Sequence, residues 1–241
     1  GDRLTSDLSV APALRAEEVY SRNPRILVPS LVESVGKNSL YSAGVSMTYD
    51  TRDVPFNPTE GHMFEVSYEQ VFGSFDYGKV EADYRRYFLV AERPDGSGRH
   101  VLAFQFRGGL TGSETPVYEN FYAGGFSTLR GFDFRGANPM EGGANGVSVG
   151  GEFMFLGTVE YRFPLTADDM LHGVAFVDYG TVEEKIDTIC SEDFCVAPGF
   201  GLRIAIPAMG PAPIALDFAF PVAHAALDDK QVFSFFVGFG R

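Results

Sequence analysis

The sequence predicts an all-β protein, an antiparallel transmembrane β-barrel with about ten strands in this chain. Three observations indicate this fold. Apolar and polar residues alternate along many segments, which is the period of a β-strand. Glycine and proline, 28 and 14 residues, interrupt the chain at short intervals, and aromatic residues are frequent, with 23 Phe and 11 Tyr but no Trp. No run of about 18 apolar residues occurs, so a transmembrane helix is excluded, whereas a barrel strand needs only about 9 to 11 residues.

The alternation is clearest between residues 151 and 164. The odd-numbered positions there are mostly apolar and the even-numbered positions are mostly polar. The apolar residues are Phe153, Phe155, Val159, Tyr161 and Phe163, and the polar residues are Glu152, Thr158, Glu160 and Arg162. A soluble sandwich would also alternate, with its apolar face turned inward, so the period alone does not separate the two folds. The abundance of aromatic residues favours the barrel, in which apolar side chains face lipid and ionised side chains line a lumen.

The same pattern predicts ten strands, at about 8–20, 39–51, 61–73, 77–92, 100–111, 151–164, 172–181, 196–207, 212–221 and 231–240. An eleventh run, 129–136, is the weakest and is assigned to a long loop at about 112–150. We expect one barrel domain or fragment over residues 1–241, with short and long connections in alternation, as outer-membrane barrels have. The short connection GSFDYG, residues 73–78, is an exception on the side of the long loops.

Charge and the first residues narrow the class of protein. A net charge of -13 and a pI near 4.7 argue against nucleic acid as a partner, because its phosphates would repel such a surface. The opening stretch GDRLTSDLSV lacks the apolar segment of a signal peptide, so we expect a mature product or an excised fragment.

The two cysteines, Cys190 and Cys195, lie close together in the polar segment TICSEDFC. In an oxidising compartment they are candidates for a local disulfide, and two free thiols are the alternative. A metal site is disfavoured, because two ligands do not complete a tetrahedral shell.

One motif bears on whether the protein is an enzyme. Residues 146–150 match G-x-S-x-G, which in hydrolases places a serine on a turn between a strand and a helix. No helical pattern follows, and the best alternating strand does, so a flexible loop is the preferred interpretation. The four histidines, His62, His100, His172 and His224, are scattered near turns. We therefore expect no catalytic residue, no metal site and no cofactor.

The stretch VYENFYAGGFSTLRGFDFRGANP, residues 117–139, resembles the signature of the BamA-like outer-membrane insertase superfamily. In that signature an aromatic-rich run and a glycine pair precede an Arg-Gly-Phe element, which here is Leu129, Arg130, Gly131 and Phe132. Further matching segments lie at 49–61, 158–164, 176–182 and 199–222, so the resemblance covers about residues 40–240.

The resemblance implies that this chain is the C-terminal part of a barrel of about sixteen strands. The signature loop would fold back into the lumen, where Arg130 would meet the inner-wall carboxylates Glu160 and Asp178. A solvated loop charge is the alternative for Arg130. The last strand would pair loosely with the first strand and form a lateral gate. The alternative is a strand that simply closes the barrel. The residues predicted for the gate are Phe233, Phe235, Gly238, Phe239 and Gly240.

The resemblance also implies a function. The protein would be a non-enzymatic assembly factor of a bacterial-type outer membrane, which folds and inserts β-barrel proteins through the gate. Its partners would be outer-membrane lipid, unfolded β-barrel clients and periplasmic assembly lipoproteins. The alternatives are a secretion or lipid-export pore of the same superfamily, a passive porin and a barrel-embedded hydrolase.

Two features depart from the family pattern. The chain ends in Phe239, Gly240 and Arg241, which displaces the usual terminal aromatic residue. Periplasmic modules and about six leading strands of the family are not in this sequence. The sequence is therefore compatible with a fragment, a companion to another chain or a shortened barrel.

Overall fold

The computed structural model describes residues 2–3, 7–22, 24, 26–143, 146–188, 194–205 and 214–238. The regular secondary structure of this part of the chain is almost entirely β-strand, with one short helix, α1 (Pro29–Glu33), and 3-10 turns at Val117–Glu119 and Ile186–Thr188. The strands are β1 (Asp2–Arg3), β2 (Leu8–Ser21), β3 (Gly36–Asp50), β4 (Gly61–Gly73), β5 (Tyr77–Ala91), β6 (His100–Thr111), β7 (Gly131–Phe132), β8 (Met140–Glu141), β9 (Val147–Ser148), β10 (Phe153–Pro164), β11 (Leu171–Glu183), β12 (Cys195–Ile204), β13 (Ile214–Ala219), β14 (Lys230–Gln231) and β15 (Phe233–Val237).

None of the described helices is long and apolar enough to span a membrane.

Eleven strands form one antiparallel sheet in the order β1-β2-β3-β4-β5-β6-β10-β11-β12-β13-β15. Strands that follow each other along the chain are neighbours, apart from short strands that lie within the connections. The β10–β11 ladder shows how regular the pairing is, since it runs without interruption from Phe153 opposite Glu183 to Pro164 opposite His172. The predicted fold class, all-β with one large antiparallel sheet, is confirmed.

The connections lie at two ends of the sheet, which we call the turn end and the loop end. At the turn end, residues 51–60, 92–99 and 165–170 link consecutive strands. At the loop end, residues 112–152 form the longest connection, which joins β6 to β10 and contains β7, β8 and β9. We call this connection the inner loop and call the face of the sheet on which it packs the inner face.

The predicted strands match the sheet except at their ends. The strand predicted at 39–51 already begins at Gly36, and the one predicted at 172–181 extends to Glu183. The strand predicted at 231–240 is wrong at its start. Lys230 and Gln231 pair with Phe132 and Gly131 of the inner loop, and the chain joins the sheet only at Phe233, because the loop provides a competing ladder partner.

The burial pattern is the reverse of that of a soluble protein. On β13 the carboxylate residue Asp217 is 0% exposed while the adjacent Phe218 is 40% exposed. On β11, Asp178 is 0% exposed and the adjacent Val177 is 38% exposed. Soluble proteins bury apolar side chains and seldom bury ionised ones, whereas membrane barrels turn their apolar side chains to lipid. The outer face carries many such exposed side chains, among them Tyr41, Tyr68, Phe72, Phe88, Phe200, Phe233 and Phe235.

Buried apolar residues lie between the inner loop and the inner face. The loop supplies Phe121, Ala123, Leu129, Phe132 and Ala137, and strands β10 to β13 supply Met154, Leu156, Val174, Phe176, Val182, Cys195, Ala197 and Ala219. Burial of apolar side chains stabilises such a contact by about 1.5–3 kcal/mol for each large residue. This cluster therefore holds the inner loop against four strands of the sheet.

We predict that Val177→Arg lowers the free energy of unfolding by about 2–4 kcal/mol, because Val177 is in the middle of β11 and an arginine there would face hydrocarbon. The measurement is urea-induced unfolding of the protein in lipid vesicles. Leu165→Arg is the control, since Leu165 is 49% exposed but lies in a connection at the turn end, where the cost falls to about 0–1 kcal/mol. Equal and negligible effects would show that the outer face does not contact lipid.

Candidate functional site

The inner loop places Arg130 against the inner face by means of a tight turn. The turn is closed by the Gly125 N–H, which donates to the carbonyl of Phe132 at 3.0 Å, and by the Leu129 N–H, which donates to the carbonyl of Gly125 at 3.1 Å. Gly131 has φ +94°, and a Cβ there would lie 3.1 Å from the Cβ of Ala197. The Arg-Gly pair thus combines a side chain that points at the sheet with a backbone that approaches it closely.

Arg130 is bound by carboxylates from three strands. Its Nε and Nη2 donate to the two oxygens of Asp178 at 2.8 and 2.9 Å, and its backbone N–H donates to Asp178 Oδ2 at 3.0 Å. Nη1 donates to Glu160 Oε2 at 2.9 Å and to Asp217 Oδ2 at 3.2 Å. The guanidinium carbon lies 3.3 Å from the ring centroid of Phe176. The structure therefore brings Arg130 together with Glu160 and Asp178, and adds Asp217.

Arg203 completes this group, which we call the ion cluster: Arg130, Glu160, Asp178, Arg203 and Asp217. Arg203 donates to both oxygens of Asp217, at 2.6 and 3.1 Å, and to Glu160 Oε2 at 3.4 Å. Sequence reasoning did not name Arg203 or Asp217 as site residues. The sequence did contain a pattern that could have identified them. The alternation of β12 and β13 puts Arg203 and Asp217 on the inner face, where a charged side chain needs a partner.

The energetics of the ion cluster favour a role in positioning. The side chains of Arg130, Asp178 and Asp217 are 0% exposed. Burial of charged groups costs several kcal/mol for each group, and their mutual attraction offsets this only when the geometry is good. A planar fork that meets a carboxylate with two parallel hydrogen bonds fixes distance and orientation. The cluster therefore specifies where the loop docks, while its net contribution to stability is small.

A second contact holds the base of the inner loop. Arg15 on β2 donates from Nη1 to Glu119 Oε1 at 3.0 Å, and the Lys79 ammonium on β5 donates to the Glu119 carbonyl at 3.0 Å. Arg15 also lies 3.2 Å from Glu69 of β4. The loop is thus tied to β2, β4 and β5 at its base and to β10 through β13 near Arg130.

The last strand of the described sheet, β15, also contacts the inner loop. The rings of Phe126 and Phe236 stack with centroids 4.6 Å apart and an interplanar angle of 12°. The β7–β14 ladder holds the residues just before β15. In the described residues, β15 has one neighbour in the sheet, β13. Neither aromatic residue was named in the sequence analysis, because a contact between a loop and a strand far away in the chain leaves no periodic signal.

The residues predicted for a gate are only partly described. Phe233 and Phe235 are exposed on the outer face, and Gly238 follows β15 with φ +146°. Phe239 and Gly240 lie outside the described residues.

The remaining candidates do not form a second site in the described part of the chain. Cys190 lies outside the described residues, so the disulfide stays a prediction, and the buried Cys195 donates to Asp228 Oδ2 at 3.3 Å. The Ser148 hydroxyl is buried in β9 and makes no hydrogen bond with the described residues, whereas a serine nucleophile needs an adjacent base. No group of three or more possible metal ligands occurs among the described residues.

Comparison with known proteins agrees with this architecture. The chain matches the family model of the Omp85 superfamily domain over residues 5–240. It is 31% identical over 156 residues to the outer membrane protein assembly factor BamA of Nitratidesulfovibrio vulgaris, a match that covers 61% of this chain and 19% of that protein.

The fold is similar to that in the crystal structure of BamA from Haemophilus ducreyi lacking POTRA domains 1-3, with a TM-score of 0.69 and 20% sequence identity, over 83% of this chain and 42% of that one. This chain thus spans less than half the length of either relative. The predicted location, the bacterial outer membrane, is confirmed by the family and these relatives. The chain belongs to the Omp85 superfamily.

Proposed function

We propose that the protein containing this chain is an outer-membrane protein assembly factor that folds and inserts β-barrel proteins without catalysing a chemical reaction. The observation that carries the proposal is the 31% identity with an assembly factor over 156 residues. Its substrates are unfolded β-barrel proteins. It is surrounded by outer-membrane lipid, and periplasmic assembly lipoproteins are further partners. The named relatives are assembly factors, which favours this function over a secretion or lipid-export pore. A passive porin is disfavoured because the inner loop packs across the inner face.

The proposed mechanism uses a strand edge as a template. In the described residues β15 pairs with β13 over five residues, from Phe218 opposite Phe233 to Ile214 opposite Val237. A strand paired on one side presents N–H and C=O groups on the other, and an incoming strand adds to such an edge by main-chain hydrogen bonds. We call the pairing of the last strand with the first strand of the barrel the seam. Gly238, with φ +146°, follows Val237 and weakens the seam, because glycine contributes no side chain to packing. The free energy comes from the folding of the client, so no nucleotide is consumed.

The inner loop acts as a brace for this edge. The ion cluster anchors the loop to β10, β11, β12 and β13. The stack of Phe126 on Phe236 attaches the anchored loop to β15. Because β14 pairs with β7, the segment before the edge strand is held by the same loop. We infer that the seam opens and closes against a fixed inner support, with the loop setting how far β15 moves.

The direct test uses the full-length protein in phospholipid vesicles and an outer-membrane β-barrel client diluted from urea. Client folding, followed by the gel-mobility shift of the folded barrel, is expected to be faster than in empty vesicles. A cysteine pair that locks the last strand to its neighbour across the seam should abolish this acceleration under oxidising conditions and restore it on reduction. Equal rates with and without the protein, or full activity of the locked protein, would disprove the proposal.

We predict that Arg130→Ala lowers the free energy of unfolding by about 3–5 kcal/mol, because it leaves Asp178 buried without its two-pronged partner and removes one of the two guanidiniums that pair with Asp217. Arg130→Lys retains the charge but not the fork, so its loss should be smaller. Arg99→Ala is the control, since Arg99 is exposed and pairs with Glu92 at 3.6 Å, and we expect a change below about 1 kcal/mol. Urea unfolding measures all three, and similar values for Arg130→Ala and Arg99→Ala would contradict the anchoring role.

We predict that Phe126→Ala loosens the edge strand without releasing the loop. An aromatic pair contributes about 0.5–1.5 kcal/mol beyond its buried area, so amide hydrogen exchange in residues 233–237 should become about two- to tenfold faster. Exchange in residues 129–132 should not change. Phe134→Ala is the matched control, because Phe134 belongs to the same loop but is exposed. If the two variants exchange alike in β15, the loop does not brace the edge.

A further inference from the structure

One guanidinium lies on the outer face of the sheet among exposed apolar side chains. Arg86 on β5 lies between Tyr84 and Phe88 on the same parity, and all three point away from Arg85, which pairs with Asp83 on the inner face. Tyr84 and Phe88 are exposed. Arg86 has no carboxylate within 4.0 Å among the described residues, in contrast to Lys37, an outward cation at the loop end that pairs with Glu18 at 2.7 Å.

Arg86 forms a compact patch with its neighbours. Its Nη1 lies 2.9 Å from His62 Nδ1, and its Cζ lies 4.8 Å from the ring centroid of Phe88. The His62 ring lies 5.5 Å from that of Tyr49 and 6.2 Å from that of Tyr84. We call Tyr49, His62, Tyr84, Arg86 and Phe88 the outer patch.

The hydrogen bonding of His62 leaves a second donor in the outer patch. A guanidinium only donates, so His62 Nδ1 accepts the hydrogen bond from Arg86, and the ring proton is on Nε2. The Thr51 hydroxyl lies 3.0 Å from the same Nδ1. The imidazole N–H and the remaining guanidinium N–H groups are therefore the donors that the outer patch offers to a ligand.

Position and charge together identify the kind of ligand. Arg86 pairs with His62, the second residue of β4, so the outer patch lies beside the connection 51–60 at the turn end. Outer-membrane barrels carry aromatic girdles at the level of the lipid headgroups, and a cation deeper in the hydrocarbon would be costly. At headgroup depth the abundant anion is phosphate, which matches the fork of arginine.

We propose that the outer patch binds the phosphate of a phospholipid in the membrane leaflet at the turn end, with Arg86 and His62 as the donors and the aromatic rings against the glycerol and upper acyl chains. This site fixes one lipid to β4 and β5. The proposal depends on the outer face contacting lipid and does not depend on the assembly function.

The test uses full-length protein purified in detergent and titrated with phosphatidylglycerol, with bound lipids counted by native mass spectrometry. We expect Arg86→Gln to retain one phospholipid fewer than the unmodified protein at the same lipid concentration, since loss of a charge-assisted hydrogen bond weakens binding by about tenfold or more. Arg86→Lys should lose less, because it retains the charge. Lys37→Gln is the matched control, and it should bind as the unmodified protein does.

Diacylglycerol with the same acyl chains separates phosphate recognition from simple coating by lipid. It lacks the phosphate, so it should fail to displace the phospholipid held at Arg86. Displacement by diacylglycerol, or equal lipid counts for the unmodified protein and Arg86→Gln, would overturn the proposal. The heat-dependent gel shift of each variant verifies that its barrel is folded, and Arg86→Lys replaces Arg86→Gln in the comparison if the latter does not fold.

Discussion

The architecture depends on one buried guanidinium that must be neutralised. Arg130 is fully enclosed and donates to carboxylates on β10, β11 and β13. Three carboxylates and two guanidiniums make up the ion cluster, so its formal charge is 2 − 3 = −1. An ionised group in such a place is tolerated only with partners in good geometry, and this requirement fixes the loop and the strands to one another.

The constraint explains how the described residues of the inner loop keep one position on the sheet. A connection of this length with only a 3-10 turn and three very short strands has a large conformational entropy to lose. Here the apolar residues around Leu129 and Phe132 and the Glu119 contacts oppose that cost, and the ion cluster selects the position in which the loop docks. The loop therefore behaves as an internal layer of the protein, and its contacts extend from β2 to β15.

Much of this could be predicted from the sequence, and the limits have physical causes. Alternation predicted the strands and their two faces, since each step along a strand reverses the side chain, and it placed Glu160 on the polar face of its strand. Asp178 was predicted as an inner-wall carboxylate by resemblance. The Arg-Gly-Phe element identified the loop by resemblance. The start of β15 was missed because Lys230 and Gln231 pair with a loop that is about 100 residues away in the chain. The Phe126–Phe236 stack and the pairing of Arg203 with Asp217 depend on tertiary geometry in the same way.

The spacing of the carboxylates along the chain bears on how this protein itself folds. Arg130 is 30 residues from Glu160, 48 from Asp178 and 87 from Asp217. Contacts so distant in sequence form late, because the intervening chain must first be ordered. The arginine remains without its full set of counter-charges until β13 has joined the sheet. Completion of the ion cluster thus requires β10, β11, β12 and β13 to be in register with one another.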